Sequence, residues 1–338
     1  MSRNALASFP PSVAVYGAGG HTGRFIVGEL RRRGLPVVAV GRDAAKLPGD
    51  VPARAAAIDD ADALARAFAG CGVVINAAGP FLDTASPVIA AALQAGAHYL
   101  DVTAEQPSAL DTFERFDAAA RAAGVAVIPA AGFYGGLADL LATALVGEGG
   151  AVDELIVAVA LDRWWPTEGT RKTGERNHAA RLIVDDHRLA AMPLPAATSS
   201  WTFGPPHGEQ EVVELPFSEI ITISRHLRAR SLRSHLSHAS LQEIRDANTP
   251  PPAAQDAQGR SAQRFEMVVR ARQGDTRRTA VARGQDIYAV SAPLVVEAAA
   301  RMLRPDFDRN GALALAQAFD ARDFLAALSP EPLAVALS

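Results

Sequence analysis

The stretch that most constrains the fold is an apolar strand that runs into spaced glycines and then into a helix: Val13-Ala-Val-Tyr-Gly-Ala-Gly-Gly-His-Thr-Gly-Arg24. Gly17, Gly20 and Gly23 have no Cβ atom, which allows backbone N–H groups to come close to a pyrophosphate. The helix predicted for residues 22–33 would point its free N–H groups and positive dipole end at that anion. The stretch therefore predicts a dinucleotide site.

The glycine spacing fits Gly-x-x-Gly-x-x-Gly better than the strict Gly-x-Gly-x-x-Gly, so the glycines alone are a weak signal. A strand-to-helix turn without a ligand is the alternative. Gly34 stands where a helix C-cap belongs, and an apolar strand over residues 36–40 completes a βαβ unit, which favours the dinucleotide. The predicted cofactor contacts in this loop are Gly17, Gly19, Gly20, His21, Thr22 and Gly23.

The second strand ends in Gly41-Arg42-Asp43. Sites for NAD usually place an acidic residue here, whereas an arginine binds a 2′-phosphate with two parallel hydrogen bonds. Arg42 therefore predicts NADP, and Lys46 adds a second positive charge one turn later. Asp43 is expected to cap the next helix. An exposed arginine without a ligand is the alternative for Arg42.

Composition narrows the class of protein. The 338 residues suffice for about two domains, and a formal charge of −4 provides no basic field for nucleic acid. No apolar run approaches the roughly 20 residues of a membrane span, and no secretory signal is evident at the start, so we expect a cytoplasmic protein. Cys71 is the only cysteine, which excludes an intramolecular disulfide and a zinc site made of thiolates.

Strand and helix patterns alternate over the first 130 or so residues, which predicts an α/β fold with a doubly wound parallel Rossmann sheet. Beyond residues 147–150, strand signatures over 155–161, 211–215, 220–224 and 265–271 predict a second, mixed α/β domain with a largely antiparallel sheet. Residues 163–177 and 248–260 are expected to be loops. The predicted division is a nucleotide-binding domain over 1–147, a substrate and dimerisation domain over 148–285, and C-terminal helices over 286–338 that pack back on the first domain.

Four motifs in order resemble the saccharopine dehydrogenase-like superfamily, including its bacterial trans-acting enoyl reductase branch. They are Val15-Tyr-Gly-Ala-Gly-Gly-His-Thr-Gly-Arg24, Val40-Gly-Arg-Asp-Ala-Ala-Lys-Leu47, Val74-Ile-Asn-Ala-Ala-Gly-Pro-Phe81 and Ala95-Gly-Ala-His-Tyr-Leu-Asp-Val-Thr103. The resemblance is firm over the first 140 residues and loose afterwards.

This resemblance implies an NADP-binding domain, a second domain for substrate and often for dimerisation, and hydride transfer in the cleft between them. It places the loop after the fourth strand along the ribose and nicotinamide, and Asp59 near the adenine. The contacts it implies in that loop are Asn76, Ala77, Ala78, Gly79 and Pro80. Substrates in the superfamily range from amino-acid-derived imines to carbon–carbon double bonds.

Hydride transfer usually needs a proton donor, which would lie at the carboxyl ends of the strands. Tyr134, framed by glycines after the sixth strand, is the first candidate, and packing against the nicotinamide is its alternative role. Asp101 would either orient the donor or cap the turn that follows it. His178 is a candidate acid or base because of its pKa range. Phe81 and Phe133 are predicted to contact substrate.

Basic residues in the second domain would suit a carboxylate or phosphate on the substrate, and Arg171 and Arg225 are the two we select. Solvated surface arginines are the alternative. His235 and His238 have a spacing that suits a metal on a helix, but on the strand expected here their rings would face opposite sides, so we predict no metal site. The absence of Tyr-x-x-x-Lys after the fourth strand argues against a short-chain dehydrogenase.

The leading hypothesis is an NADP(H)-dependent oxidoreductase, a homodimer, that reduces a C=N or C=C bond in a small or acyl substrate. One alternative is an NADP-binding sensor or scaffold without turnover. Another is an NAD(P)-dependent dehydrogenase that oxidises an amino-acid-like substrate. A polar cleft beside the nicotinamide would favour an enzyme, and apolar side chains filling that space would favour a sensor.

Overall fold

The computed structural model describes residues 11–338. The strands are β1 (Ser12–Tyr16), β2 (Val37–Gly41), β3 (Ala53–Ala55), β4 (Cys71–Asn76), β5 (His98–Asp101), β6 (Ala126–Ile128), β7 (Ala151–Leu161), β8 (Leu182–Asp185), β9 (Arg188–Ala191), β10 (Thr198–Thr202), β11 (Glu209–Glu214), β12 (Arg228–Ser237), β13 (Arg264–Gln273), β14 (Thr276–Gln285), β15 (Gly311–Ala312) and β16 (Ala334–Leu337). The helices are α1 (His21–Arg32), α2 (Ala61–Phe68), α3 (Phe81–Gln94), α4 (Gln106–Ala123), α5 (Ala138–Val146), α6 (Glu168–Arg176), α7 (Glu219–Ser224), α8 (His238–Arg245), α9 (Ser291–Met302), α10 (Leu315–Ala318) and α11 (Ala321–Leu328).

The first sheet is parallel, with strand order β15-β6-β5-β4-β1-β2-β3. Alternate residues of β1 belong to two different hydrophobic cores. Val13 and Val15 pack with α1 on one face of the sheet, and Ala14 packs with α2 and α3 on the other. Because helices cover both faces, β1, β2 and β4 are apolar nearly throughout. The strand order reverses between β1 and β4, which places the loops after these two strands side by side.

The second sheet has the order β10-β11-β12-β7-β13-β14-β16, and β8 and β9 extend it from β12. Among the described strand pairs of this second sheet, only β12–β7 is parallel, and the other pairs are antiparallel. The predicted fold class, a Rossmann sheet with a second, largely antiparallel sheet, is therefore confirmed.

The C-terminal segment contributes to both sheets. Helix α9 packs against α1, and Glu297 of α9 accepts a hydrogen bond of 2.5 Å from Arg33. Strand β15 pairs with β6 in the first sheet, whereas β16 pairs with β14 at the edge of the second. The division into three parts stays a prediction, and it did not include the return of β16 to the second sheet.

Three local predictions in the second half are wrong. Residues 163–177, expected to be a loop, contain α6, whose N-cap Thr167 accepts the N–H of Thr170. Residues 220–224, expected to be a strand, lie in α7, because burial of its isoleucines where α7 packs on α4, α5 and β12 outweighs their β propensity. His238 begins α8, so it does not share a strand with His235.

None of the helices between residues 11 and 338 combines the length and the apolar character that crossing a membrane requires.

Candidate functional site

The loop after β1 is built so that no side chain intrudes on it. Gly17 has a φ of +83°, which L side chains rarely adopt, and a Cβ there would come within 2.9 Å of Ala78. A Cβ on Gly19 would lie 2.5 Å from the carbonyl oxygen of Lys46. One on Gly23 would overlap the carbonyl oxygen of Gly17. These glycines are required by the close approach of backbone to backbone.

The helix that follows offers its N–H groups to a ligand. Helix α1 begins at His21, and its N-cap Gly20 supplies no side-chain hydrogen bond. The backbone N–H groups of His21, Thr22 and Gly23 have no backbone partner within residues 11–338. Free N–H groups at a helix N-terminus behind a glycine loop are the donor set that a pyrophosphate requires, so these residues fit the group.

The side chain of His21 belongs to an aromatic contact. Its ring lies edge-on to Phe25 and Tyr288, with centroids 5.2 and 5.4 Å away. Burial lowers the pKa of His21, and the nearby Asp286 opposes that change. Because this favours the neutral ring, we assign the cofactor contact of His21 to its backbone N–H.

The charges of Arg42 and Asp59 reach the hydroxyl of Tyr16 near the place where the adenosine ribose would lie. Arg42 and Asp59 are exposed and both act on the hydroxyl of Tyr16 at the end of β1. Burial raises the pKa of Tyr16, the Arg42 charge lowers it and Asp59 raises it. Asp43 caps the short turn that follows, and Lys46 lies 3.8 Å from its carboxylate. This leaves the Arg42 guanidinium open to a 2′-phosphate.

Asn76 at the end of β4 shapes the next loop through its side chain. The amide is fully buried; it donates to the hydroxyls of Thr84 (3.2 Å) and Tyr99 (3.3 Å) and accepts the N–H of Ala78 (3.0 Å). The side chain of Asn76 therefore positions this loop, and the predicted contact of Asn76 with the cofactor stays a prediction. Ala77, Ala78, Gly79 and Pro80 are all at least partly exposed, and their contact with the cofactor stays a prediction.

The sequence did not identify Glu105, which closes the start of α3. Its carboxylate accepts the N–H groups of Phe81 (2.7 Å) and Leu82 (3.2 Å). Burial raises the pKa of Glu105, and these two hydrogen bonds oppose the change. Because the Glu105 carboxylate occupies the N-terminus of α3, these N–H groups are not free to bind a second phosphate. Phe81, at this capped end, is buried.

Asp101 ties the loops after β5 and β6 together. It is fully buried, and its carboxylate accepts the N–H groups of Thr103 (3.0 Å) and Ala130 (2.7 Å) and the hydroxyl of Tyr99 (2.9 Å). Burial raises its pKa to about 6, against the effect of these three donors. Of the two roles predicted for Asp101, this geometry favours the cap of the following turn.

Tyr134 lies in a π-helical turn, Phe133–Leu137, directly before α5. Its ring stacks on Phe217 with centroids 4.2 Å apart and lies 6.3 Å from Trp164. Its hydroxyl is buried and has no hydrogen-bond partner within residues 11–338. Burial raises the pKa of Tyr134 well above its usual value, so the phenol holds its proton. Phe133 is core: it packs between Tyr134 and Phe265.

Two charged residues beside Tyr134 were missed from the sequence. The Arg181 guanidinium lies 4.9 Å from the ring centre of Phe217 and donates to the carbonyl of Pro216 at 2.5 Å. Burial lowers its pKa, while Glu219 and Tyr134 raise it. Glu219 is fully buried; one carboxylate oxygen accepts the N–H of Phe217 and the other has no partner within residues 11–338. Burial raises the pKa of Glu219.

Three predicted residues do not join this cluster. His178 is exposed between α6 and β8. Arg171 donates to the carbonyls of Thr249 (2.7 Å) and Asp246 (3.3 Å). Arg225 lies over the ring of Phe113 on α4, at 5.3 Å from its centre. The arginine beside Tyr134 is instead Arg181, which directly precedes β8, and the substrate contacts predicted for Arg171 and Arg225 stay predictions.

No group of three or more potential metal ligands is arranged around a common point in the part of the chain that the structure describes. His238 instead contacts Glu211 at 2.8 Å, and the ring of His235 stacks on Trp201.

The glycine loop, the exposed arginine beyond β2 and the neighbouring loop after β4 define a Rossmann domain that binds a dinucleotide. Residues 13–128 match the family model described as the saccharopine dehydrogenase NADP binding domain. This domain therefore belongs to the saccharopine dehydrogenase-like superfamily, as the sequence motifs predicted, and its cofactor is NADP(H).

The whole chain has the fold of saccharopine dehydrogenase (L-Glu forming) from Saccharomyces cerevisiae, with a TM-score of 0.66 at 13% identity over 97% of this chain and 100% of that one. A second similar structure is amine dehydrogenase from Mycobacterium smegmatis, with a TM-score of 0.49 at 11% identity, covering 91% of this chain and 95% of that one. No curated protein sequence matches the chain. The first of these two structures shows that the whole chain shares the saccharopine dehydrogenase fold.

Proposed function

We propose that this protein is an NADP(H)-dependent reductase that transfers hydride to a C=N or C=C bond of a small or acyl substrate. The observation that carries the proposal is the buried hydroxyl of Tyr134, which has no partner within residues 11–338 and lies at the carboxyl end of the parallel sheet. A buried polar group without a partner is costly, and such groups are common at functional sites.

NADPH, held by the glycine loop, would supply a hydride to one atom of the double bond. Tyr134 donates its proton to the other atom, and its raised pKa keeps that proton in place until the hydride arrives. The neighbouring positive charge of Arg181, which lowers the pKa of Tyr134, stabilises the phenolate that remains. Phe217 and Trp164 both pack against the phenol ring, which limits access of water to the reacting atoms.

The test is a screen of imines, enones and 2-oxo acids with NADPH, scored by its oxidation, followed by Tyr134→Phe on any substrate found. Phenylalanine keeps the ring stack and removes the proton, so we expect kcat to fall by about 10²- to 10⁴-fold while the Kd for NADPH stays unchanged. A Tyr134→Phe variant with full kcat would exclude Tyr134 as the donor. Running the same panel backwards with NADP⁺ and amines tests the oxidative alternative.

A second candidate function, an NADP-binding sensor, is favoured by one observation. The rings of Tyr134, Phe217 and Trp164 pack directly on one another, with Tyr134 and Phe217 only 4.2 Å apart. A sensor would keep this aromatic packing with cofactor bound, whereas a reductase must open it for substrate. NADPH binding without turnover of any of the three substrate classes would favour the sensor.

The homodimer and the cytoplasmic location stay predictions that follow from the family resemblance and from the composition. Sedimentation velocity of the full chain tests the first, with a mass near twice 35.4 kDa expected. Cell fractionation tests the second.

A further inference from the structure

Helix α6 is held in place by polar contacts. None of its nine residues is buried by the part of the chain described, residues 11–338. The helix also contains Gly169 and Gly174, and a glycine within a helix is destabilising relative to alanine. A segment with so little buried apolar surface opens at low free energy, so α6 is suited to dock and undock.

In its docked position α6 contacts the loop after β4. A Cβ on Gly79 would lie 3.2 Å from the hydroxyl of Thr173, and Arg176 pairs with Asp83 on α3 at 3.0 Å. On its other side, Arg171 bonds to the carbonyl of Thr249, which follows α8. The helix therefore bridges the segment after α8 and the loop that we assign to the nicotinamide half of the cofactor.

Tyr288 joins this helix to the phosphate loop. The ring of Tyr288 lies edge-on to the ring of His21, the first residue of α1. The hydroxyl of Tyr288, which we call the hub, bonds to three groups at and near the start of α6. It lies 2.9 Å from the hydroxyl of Thr170 and accepts the indole N–H of Trp164 (3.0 Å) and the backbone N–H of Thr167 (3.4 Å). One side chain thus touches the cofactor loop, the start of α6 and the ring that lies beside Tyr134.

We propose that Tyr288 is a positioning residue that couples cofactor binding at the glycine loop to the docking of α6 over the loop after β4. The inference rests on the assignment of NADP(H) to the glycine loop. A pyrophosphate on the N–H groups of residues 21–23 fixes the start of α1, and with it the His21 ring against which Tyr288 packs. The hydroxyl of Tyr288 is then held where Thr170 and Thr167 meet it. Coupling of two binding events is reciprocal, so docked α6 also retains the cofactor.

The experiment is limited trypsin digestion of the full chain, with cleavage at each site followed by mass spectrometry, with and without saturating NADPH. Arg171, Lys172 and Arg176 place trypsin sites within α6. Arg188, exposed in the β8–β9 hairpin, serves as the internal reference. We expect NADPH to slow cleavage in α6 by about 5-fold or more and to leave cleavage at Arg188 unchanged.

Two variants test the hydroxyl itself. Tyr288→Phe keeps the ring on His21 and removes the hub, and Thr170→Val removes the partner on α6 and leaves Tyr288 intact. Each should lose most of the protection by NADPH within α6. The matched control is Arg176→Gln, which breaks an exposed ion pair of small energetic worth and should retain the protection afforded at the two remaining sites.

The outcomes separate this inference from the assignment of the cofactor. Calorimetric binding of NADPH without protection of α6 in the wild type would overturn the coupling and leave the cofactor site standing. Equal protection in wild type, Tyr288→Phe and Thr170→Val would show that α6 docks without the Tyr288 hydroxyl, and would also overturn it. No binding of NADPH to the wild type would overturn the cofactor site, and the coupling with it.

Discussion

The two halves of the candidate site are built from different material. The phosphate loop is made of backbone: three glycines whose Cβ atoms would meet other main-chain or Cβ atoms, and three N–H groups at the start of one helix. The cluster around Tyr134 is made of side chains that reach it from separate segments: Phe217, Trp164, Arg181 and Glu219. The first half tolerates almost no added atoms, whereas the second depends on which functional groups its side chains carry.

This comparison predicts that the halves fail in different ways. Adding a single methyl group to the phosphate loop should abolish cofactor binding. Exchanging a single hydroxyl or carboxylate in the cluster around Tyr134 should alter that cluster without changing cofactor affinity. The substitutions below follow in order of expected effect.

The largest effect is expected from Gly23→Ala. The new methyl group overlaps the carbonyl oxygen of Gly17, so the loop must move or the protein must unfold, at a cost of about 1–3 kcal/mol or more. We expect the Kd for NADPH to rise by at least about 100-fold, measured by calorimetry, with a lower melting temperature.

The matched control for that variant is Gly28→Ala on the same helix, where a Cβ meets nothing within 4 Å. This variant should bind NADPH normally and gain roughly 0.5–1 kcal/mol of stability. Normal NADPH binding by Gly23→Ala would refute the claim that the loop is sterically closed to side chains.

The next effect concerns Asp101 and depends on pH. Burial raises its pKa from 3.8 to about 6 in the folded protein, so between these values the folded chain holds a proton that the unfolded chain has released. The free energy of unfolding therefore falls as the pH rises through this window and levels off above it. A shift of about two units corresponds to about 3 kcal/mol.

Asp101→Asn removes this titration. The free energy of unfolding of the wild type, measured by denaturant titration, should fall relative to that of the variant by about 3 kcal/mol as the pH rises from 4 to 7. A difference between the two proteins that stays constant across this range would contradict the raised pKa.

The smallest effect is expected from Arg42→Ala. Loss of a charged hydrogen-bonding group to the 2′-phosphate should weaken NADPH binding by about 10-fold, while the Kd for NADH, which lacks that phosphate, stays unchanged. The Kd of Arg42→Lys for NADPH should lie between those of the wild type and Arg42→Ala, since lysine keeps the charge and loses the planar guanidinium. Equal weakening for both nucleotides would show that Arg42 does not contact the 2′-phosphate.

The same difference in material explains what the sequence could predict. The phosphate loop, the second strand and Arg42 lie within about thirty consecutive residues, so their spacing alone indicates a βαβ unit and a dinucleotide. The parallel sheet and the NADP cofactor followed from this, and the family model agrees with both.

The half of the site around Tyr134 could not be predicted in this way, because its geometry depends on pairings between distant parts of the chain. The sequence around Arg181 does not distinguish it from Arg171, and the pairing of β8 with β12 decides which of them lies beside Tyr134. Residues 220–224 look like a strand, yet tertiary packing makes them helical and brings Glu219 into the cluster. Tyr288 meets Trp164 across 124 residues of chain.

The most direct test of the account is calorimetric titration of the full-length wild-type protein with NADPH and, separately, with NADH at the same ionic strength. The account predicts one cofactor per chain and a Kd for NADPH about 10-fold or more below that for NADH. Equal affinity for the two nucleotides would contradict the role of Arg42, and no heat with either would contradict the assignment of the glycine loop to a dinucleotide.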